Sequence, residues 1–320
     1  MLYFTAVGLP FFILMIFGPL LIRLLKRLNF GQKIRGAGPS SHYKKEGIPT
    51  MGGILIILAI LITALVVFRQ NSYTFWVLLV TIAMGLIGFL DDFKKIVTNS
   101  SLGLKARWKI LGQLMTGTAL AVYVYYYSNI GSGILVPFTD RIYLLDKWIL
   151  PLVVLTVVGT ANAVNLTDGL DGLAAGVTVV VISGLSVISS ALGLQELTLF
   201  GLSVTGACLG FIWFNSHPAQ VFMGDVGSLA LGGAVASMAV ITRTELFLLI
   251  IGGVFVLETL SVIIQVFYFR ITGGRRVFKM TPLHHHFELA GLAENKIVIR
   301  LLLVSMAFAS LGLAGFYYSL

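Results

Sequence analysis

Ten apolar runs of membrane length, at residues 2–25, 50–68, 73–90, 108–127, 148–164, 173–192, 197–214, 227–242, 246–269 and 298–318, constrain this chain more than any other feature. A helix needs about 20 apolar residues to cross roughly 30 Å of hydrocarbon, so ten crossings take up about 200 residues and leave mostly short loops. The 320-residue chain is 58% hydrophobic and only 11% charged, with a mean hydropathy of +0.97, which excludes a water-soluble fold. Lipid offers the backbone no hydrogen-bond partners, and apolar runs of this length satisfy their own as helices. The expected fold is all-α: a polytopic integral membrane protein of ten transmembrane helices, residues 1–320 forming a single transmembrane domain. The first run lacks a charged start and an A-x-A-like cleavage site, and Arg23, Lys26 and Arg27 follow it, so it reads as a retained helix.

Ten spans put both termini on one side and divide the loops into two sets. All but four of the 22 Lys and Arg fall in one set; the other holds only Arg69, Arg141, Lys147 and Arg243. The positive-inside rule makes the rich set cytoplasmic and sends both termini outward. The net charge of +9 is thus a topology signal, and no nucleic-acid partner is expected. The outer loops at 69–72, 193–196 and 243–245 are too short to build a site. The longer one, 128–147, contains GILVPFTDRIYLL, which predicts a small hairpin that Pro137 limits to edge pairing. The single cysteine, Cys208 in GACLGFIW, excludes an intrachain disulfide and reads as a packed thiol.

The polar signatures all lie in the inner junctions. GFLDDFKK puts Asp91 and Asp92 at the inner end of the third span, where the helix dipole disfavours anions. Two carboxylates there need a cation, either Lys94 and Lys95 or a hard divalent ion shared with substrate phosphate. NAVNLTDGLDGLA spaces Asn162, Asn165, Asp168 and Asp171 at threes, stacking them on one face wherever the segment is helical, while Gly169 and Gly172 permit a tight turn. Capping of the sixth span by Thr167 or Asp168 explains one or two of these residues, not four. FNSHPAQVFMGDVGS leads through Gly224, Asp225, Gly227 and Ser228 into a helix whose N-terminus suits phosphate oxygens. Asp225 either caps that helix or joins Asp91 and Asp92 as a metal ligand.

TPLHHHFELAGL sets His284, His285 and His286 in a row, near Arg275, Arg276 and Lys279. Three consecutive histidines cannot all face one ion from a regular helix, so hydrogen bonding or proton transfer beside a phosphate fits them better than zinc. His42 and His217 read as structural. HYKKEGIPTMGG arranges Lys45 and Thr50 around Pro49, ahead of Gly52 and Gly53, which suits a nucleotide loop or simple contact with anionic lipid. Carboxylates for Mg²⁺, an anion-receiving helix end, histidines and cations at one membrane face point to phosphoryl transfer. Such chemistry needs mainly positioning and charge neutralisation, and the membrane would supply an acceptor with a hydrocarbon tail.

In this order, and over nearly the whole chain, the five segments resemble the signatures of the prenyl-phosphate sugar-1-phosphate transferases; TPLHHHFE is similar to their muramoyl-pentapeptide branch. The resemblance implies an enzyme of the bacterial inner membrane that transfers phospho-MurNAc-pentapeptide from UDP-MurNAc-pentapeptide to undecaprenyl phosphate. The products would be lipid I and UMP, the cofactor Mg²⁺, and the assembly a homodimer. It implies catalytic roles for Asp91, Asp92, Asp225 and His284, with Asp225 the magnesium ligand and Asp91 a base toward the acceptor. It implies a uridine pocket at Lys45, Thr50, Asn165, Asp168, Gly169, Leu170, Asp171, Asn215 and Phe222, the last by stacking, with His285 and His286 as further substrate contacts. Direct in-line attack and a two-step route through an aspartyl-phosphate both remain open. A transporter would need ionisable groups near the bilayer midplane, where only Glu258 qualifies; it reads as a hydrogen bond to a neighbouring helix or the mark of a kink in the ninth span.

Overall fold

The computed structural model describes residues 1–28, 30, 45, 47–68, 71–98, 100 and 102–319. Most of the first inner loop, including Lys33, Arg35, His42, Lys44 and Glu46, and the outer Arg69 lie outside the described residues. The described helices are α1 (Leu2–Arg27), α2 (Gly53–Val67), α3 (Ser72–Val97), α4 (Ala106–Val122), α5 (Ile149–Thr167), α6 (Leu173–Ala191), α7 (Gln195–Asn215), α8 (Gly224–Ile241), α9 (Glu245–Ile251), α10 (Gly253–Ile271), α11 (Leu283–Leu289) and α12 (Glu294–Tyr318). Eight of them, α1, α3, α5 to α8, α10 and α12, are long and apolar enough to cross a membrane. Of the others, α2 is apolar but has 15 residues, and α4 has 17 and runs on through one π-helical turn, Tyr123–Tyr127.

Length and capping explain where the charged ends sit. At 1.5 Å per residue the 26 residues of α3 extend about 39 Å, beyond the hydrocarbon thickness, so its last turns carry Asp91, Asp92 and Lys95 to the boundary. Its other end is fixed by Asn71, whose Oδ1 accepts from the Thr74 amide at 2.8 Å.

The bundle is built around α8, in which every residue from Val226 to Ile241 is buried. Glycines bring the neighbours close. A Cβ on Gly88 of α3 would collide with the Asp225 carbonyl, and one on Gly53 of α2 would collide with Gly227. Small residues allow such backbone approach where apolar association between helices has no water to drive it. The periphery is the reverse: Phe12, Ile16, Leu65, Trp213, Phe267 and Leu303 are exposed, an apolar surface that hydrocarbon, not water, must solvate.

Two expectations change. The run at 246–269 is not one helix but α9 and α10, broken at Gly252, where a Cβ would sit 2.8 Å from the Leu248 carbonyl oxygen. The bend therefore falls at Gly252, and Glu258 lies within regular helix. The outer loop does form a hairpin, β1 (Gly133–Leu135) against β2 (Ile142–Leu144), antiparallel with Gly133 opposite Leu144. Pro137 stands in its turn and never enters the ladder. Cys208 is free and buried.

Candidate active site

Asp91 and Asp92 are both buried at the boundary end of α3, and Asp225 reaches them from the first turn of α8. One oxygen from each lies within 4.8 Å of the others. Lys95, one turn on from the pair, stands 2.6 Å from Asp91, 3.0 Å from Asp92 and 3.4 Å from Asp225. Lys109 of α4 adds contacts of 2.5 Å to Asp225 and 3.7 Å to Asp91. Three carboxylates against two ammonium groups leave one negative charge in excess. An all-oxygen donor set at this spacing, short of positive charge, fits a hard divalent cation.

Backbone groups fix the cluster. The Leu104 amide donates to Asp91 Oδ1 at 2.8 Å, and the Val226 amide donates to Asp92 Oδ2 at 3.2 Å. The N-terminus of α8, expected to receive phosphate, thus gives one of its free N–H groups to Asp92. Gly224, at φ +74°, opens the helix, and a Cβ there would strike the Asp92 carboxylate and crowd the Thr50 hydroxyl. Thr50 is buried at this end of the site, its hydroxyl beside Gly224.

The Asn/Asp series divides instead of sharing one face, because α5 ends at Thr167. Asn162 donates to Gln113 on α4 at 2.7 Å. Asn165 donates to Asp225 at 3.0 Å and to Ser228 at 2.8 Å. Asp168 follows the helix, and burial, then the charges of Asp225 and Asp92, push its carboxyl up to about 8. Asp171 belongs to a second cluster. Its Oδ1 accepts from Lys45 at 2.7 Å, its Oδ2 accepts from the Ala219 amide at 3.1 Å, and its own amide donates to Glu294 at 2.8 Å. Lys45 also reaches Glu294 at 2.6 Å, and His217 lies 3.1 Å from Asp171 and 3.4 Å from Glu294.

The turn between α5 and α6 is tied to α7 and the loop beyond it. Asn215 accepts from the Gly172 amide at 3.0 Å and donates to the Val221 carbonyl at 2.9 Å; Gly172 needs its φ of +79° to close the turn, and Leu170 is buried beneath it. The Phe222 backbone pairs with the segment before α2, its amide donating to Pro49 at 2.8 Å and its carbonyl accepting from Gly52 at 2.9 Å.

His284 is fully buried in α11. Its backbone amide donates to Glu258 Oε2 at 3.4 Å, and its Nδ1 lies 3.2 Å from the same oxygen. The opposite ring nitrogen, Nε2, abuts Gly169, where any Cβ would collide with it. Only a glycine beside Asp168 leaves room for that imidazole. His285 turns to Glu288 at 2.7 Å, and His286 Nδ1 accepts from the Lys279 amide at 3.2 Å, so these two rings face their own loop.

With this arrangement in view, the comparisons with known proteins are decisive. Residues 74–243 match glycosyl transferase family 4, and residues 45–57 match signature 1 of phospho-N-acetylmuramoyl-pentapeptide-transferase. The chain is 50% identical to the phospho-N-acetylmuramoyl-pentapeptide-transferase of Desulforamulus reducens, over 97% of this chain and 94% of the relative. The chain belongs to the phospho-N-acetylmuramoyl-pentapeptide-transferase family. It is 49% identical to the Geobacillus sp. member, over 96% of each chain, and 47% identical to that of Bacillus velezensis, over 97% and 96%. It is therefore an enzyme, and its helices make it a multi-pass membrane protein.

Several residues of these clusters escape sequence reasoning. Lys95 was legible as the i+3 and i+4 neighbour of the Asp pair, and Ser228 as part of the segment opening α8, but Lys109 and Glu294 carry no local signal. His217, expected to be structural, stands beside Asp171 and Glu294, and Glu258 stands behind His284.

Proposed function

We propose that the chain transfers phospho-MurNAc-pentapeptide from UDP-MurNAc-pentapeptide to undecaprenyl phosphate, yielding lipid I and UMP in the first membrane step of peptidoglycan synthesis, with Mg²⁺ as cofactor. One observation carries the proposal: Asp91, Asp92 and Asp225 meet at a helix boundary in a chain about half identical, nearly end to end, to proteins of that name. In this proposal the eight long helices together with α2 and α4 make ten spans of one domain, with both termini outside the bacterial inner membrane and the site on the cytoplasmic face. A homodimer is proposed on family analogy alone.

A lipid phosphate oxygen attacks the sugar-bearing β-phosphorus in line. The new P–O bond forms as the anhydride bond breaks, and UMP leaves with the bridging oxygen. Asp225, with Asp91 and Asp92 beside it, would hold Mg²⁺, which when bound neutralises diphosphate charge. Lys95 and Lys109 set the carboxylate positions and offer their remaining N–H donors to phosphate oxygens. A phosphate monoester has its second pKa near ~6, so the acceptor is mostly ionised at neutral pH, and Asp91 need take only a residual proton. Lys45, Thr50, Asn165, Asp168, Gly169, Leu170, Asp171, Asn215 and Phe222 hold the nucleotide, Thr50 and Asn165 from the side of Asp92 and Asp225 and the others toward the uridine, and His284, packed behind Gly169, acts through the Asp168–Gly169 turn. His285 and His286, beside Glu288 and the Lys279 amide, are further substrate contacts in this proposal.

The test is release of UMP by purified protein from the two substrates with Mg²⁺. Asp91→Asn, Asp92→Asn and Asp225→Asn should each lower turnover by about 100-fold or more while uridine nucleotide still binds. Undiminished turnover in all three variants would reject the assignment. Inversion at an isotopically chiral β-phosphorus separates the single displacement from a two-step route.

A further inference from the structure

Away from the carboxylates, a cavity of about 270 Å³ lies where the end of α10 meets the loop leading into α11. Gln265, Phe269 and Arg270 line it from the helix, and Arg276, Met280 and Thr281 from the loop. Among the described residues neither guanidinium lies within ion-pair distance of a carboxylate, and Arg276 makes only a long 3.4 Å bond to the Lys279 carbonyl. The cavity is preformed, because Gln265 Oε1 accepts from the amides of both Val277 and Phe278 at 3.0 Å and so holds the loop that presents Arg276.

The approach to it is apolar. Ile263, Val266 and Phe267 are exposed large side chains, and with Arg270 they stand at i, i+3, i+4 and i+7, one continuous stripe of α10. That stripe runs along the hydrocarbon-facing side of a membrane-crossing helix and ends, in its last turn, at a guanidinium.

We propose that this cavity binds the phosphate of an anionic diacyl phospholipid, with an acyl chain lying along Ile263 and Val266. A planar guanidinium fork matches phosphate oxygens in pairs, and two such forks at a membrane boundary form a headgroup site. The wall residue Thr281 directly precedes Pro282, the N-cap of α11, so an occupied cavity braces the helix that carries His284. The inference needs only membrane embedding; its failure leaves the transfer reaction standing, and failure of that reaction leaves the lipid site standing.

The experiment adds phosphatidylglycerol or phosphatidylcholine to the purified full chain in neutral micelles and counts retained lipid by native mass spectrometry. Wild type should retain phosphatidylglycerol in preference, and the double variant R270Q/R276Q should bind it at least about tenfold more weakly, the size expected for losing a charge-assisted hydrogen bond. Its UMP release in neutral micelles should match wild type, which shows the variant to be folded. Where the double variant is unstable, Arg276→Lys keeps the charge, loses the fork and should weaken retention several-fold. Unchanged retention in the variants would overturn the site. So would displacement of phosphatidylglycerol by equimolar inorganic phosphate or a short-chain prenyl phosphate, since the ligand would then be free phosphate or the acceptor lipid.

Discussion

Glu258 and His284 are both fully buried, one on α10 and one on α11, and each has side-chain atoms with no hydrogen-bond partner among the described residues. A carboxylate behind an imidazole fixes its orientation, here with Nε2 toward Gly169. In metal sites, removing such an orienting carboxylate costs about 10- to 100-fold, and Glu258→Gln should lower kcat by that order with the nucleotide KM little changed. Steady-state kinetics against both substrates checks it. Asp168 supplies a pH test. Its carboxyl sits near 8 instead of the usual 3.8, so between those values the unfolded chain is ionised while the folded chain keeps its proton. Folded stability from this group therefore falls as pH rises through that window. Thermal unfolding of Asp168→Asn should lose this slope, and added Mg²⁺ should reduce it in the wild type by favouring the carboxylate. The residue types were legible because unusual polar side chains stand out in an apolar chain. What each touches was not: the same spacing of three sends Asn162 to Gln113, Asn165 to Asp225 and Asp171 to Lys45.

The elements were legible where hydrophobicity alone decides them, since a run of 20 apolar residues in lipid has few options besides a helix. They were illegible where a glycine decides. Gly252 interrupts the ninth run although the hydropathy is unbroken, and α5 stops at Thr167 just before the Asp168–Gly169 pair of the proposed site. Glycine also sets the distance between elements. A methyl group at Gly88 would enter the Asp225 carbonyl, and that atom is backbone in a helix buried along its length, so α3 and α8 must separate. Gly88→Ala should therefore cost about 1–3 kcal/mol of stability, the usual penalty of overpacking. It should also lower turnover, because the same separation draws Asp225 away from Asp92. Thermal denaturation in detergent and UMP release, measured together, check both effects. Ala at Gly159, where a Cβ meets nothing within 4 Å, is the matched control and should change neither.

For the whole molecule, convergence was the least legible property. Asp92 meets Val226 across 134 residues and Lys45 meets Glu294 across 249, and no periodicity in the chain announces either contact. Sidedness, by contrast, is an expectation that charge alone supplies. The loop carrying Arg275 and Arg276 joins the end of α10 to the helix that bears His284, and the hairpin at Gly133–Leu144 is joined to the last turn of α12 through Ser319 and Val136. If the Lys- and Arg-rich face is cytoplasmic, these two loops are on opposite sides. The protein provides its own clean background for a labelling test, because Cys208 is wholly buried and a polar maleimide cannot reach it. Asp140 in the hairpin turn and Arg275 in the inner loop are both exposed. In intact cells, a membrane-impermeant maleimide should label Asp140→Cys and leave Arg275→Cys untouched until the membrane is opened. The opposite pattern would put the carboxylate cluster outside, where a nucleotide-linked donor made in the cytosol could not reach it, and the proposed reaction would lose its substrate.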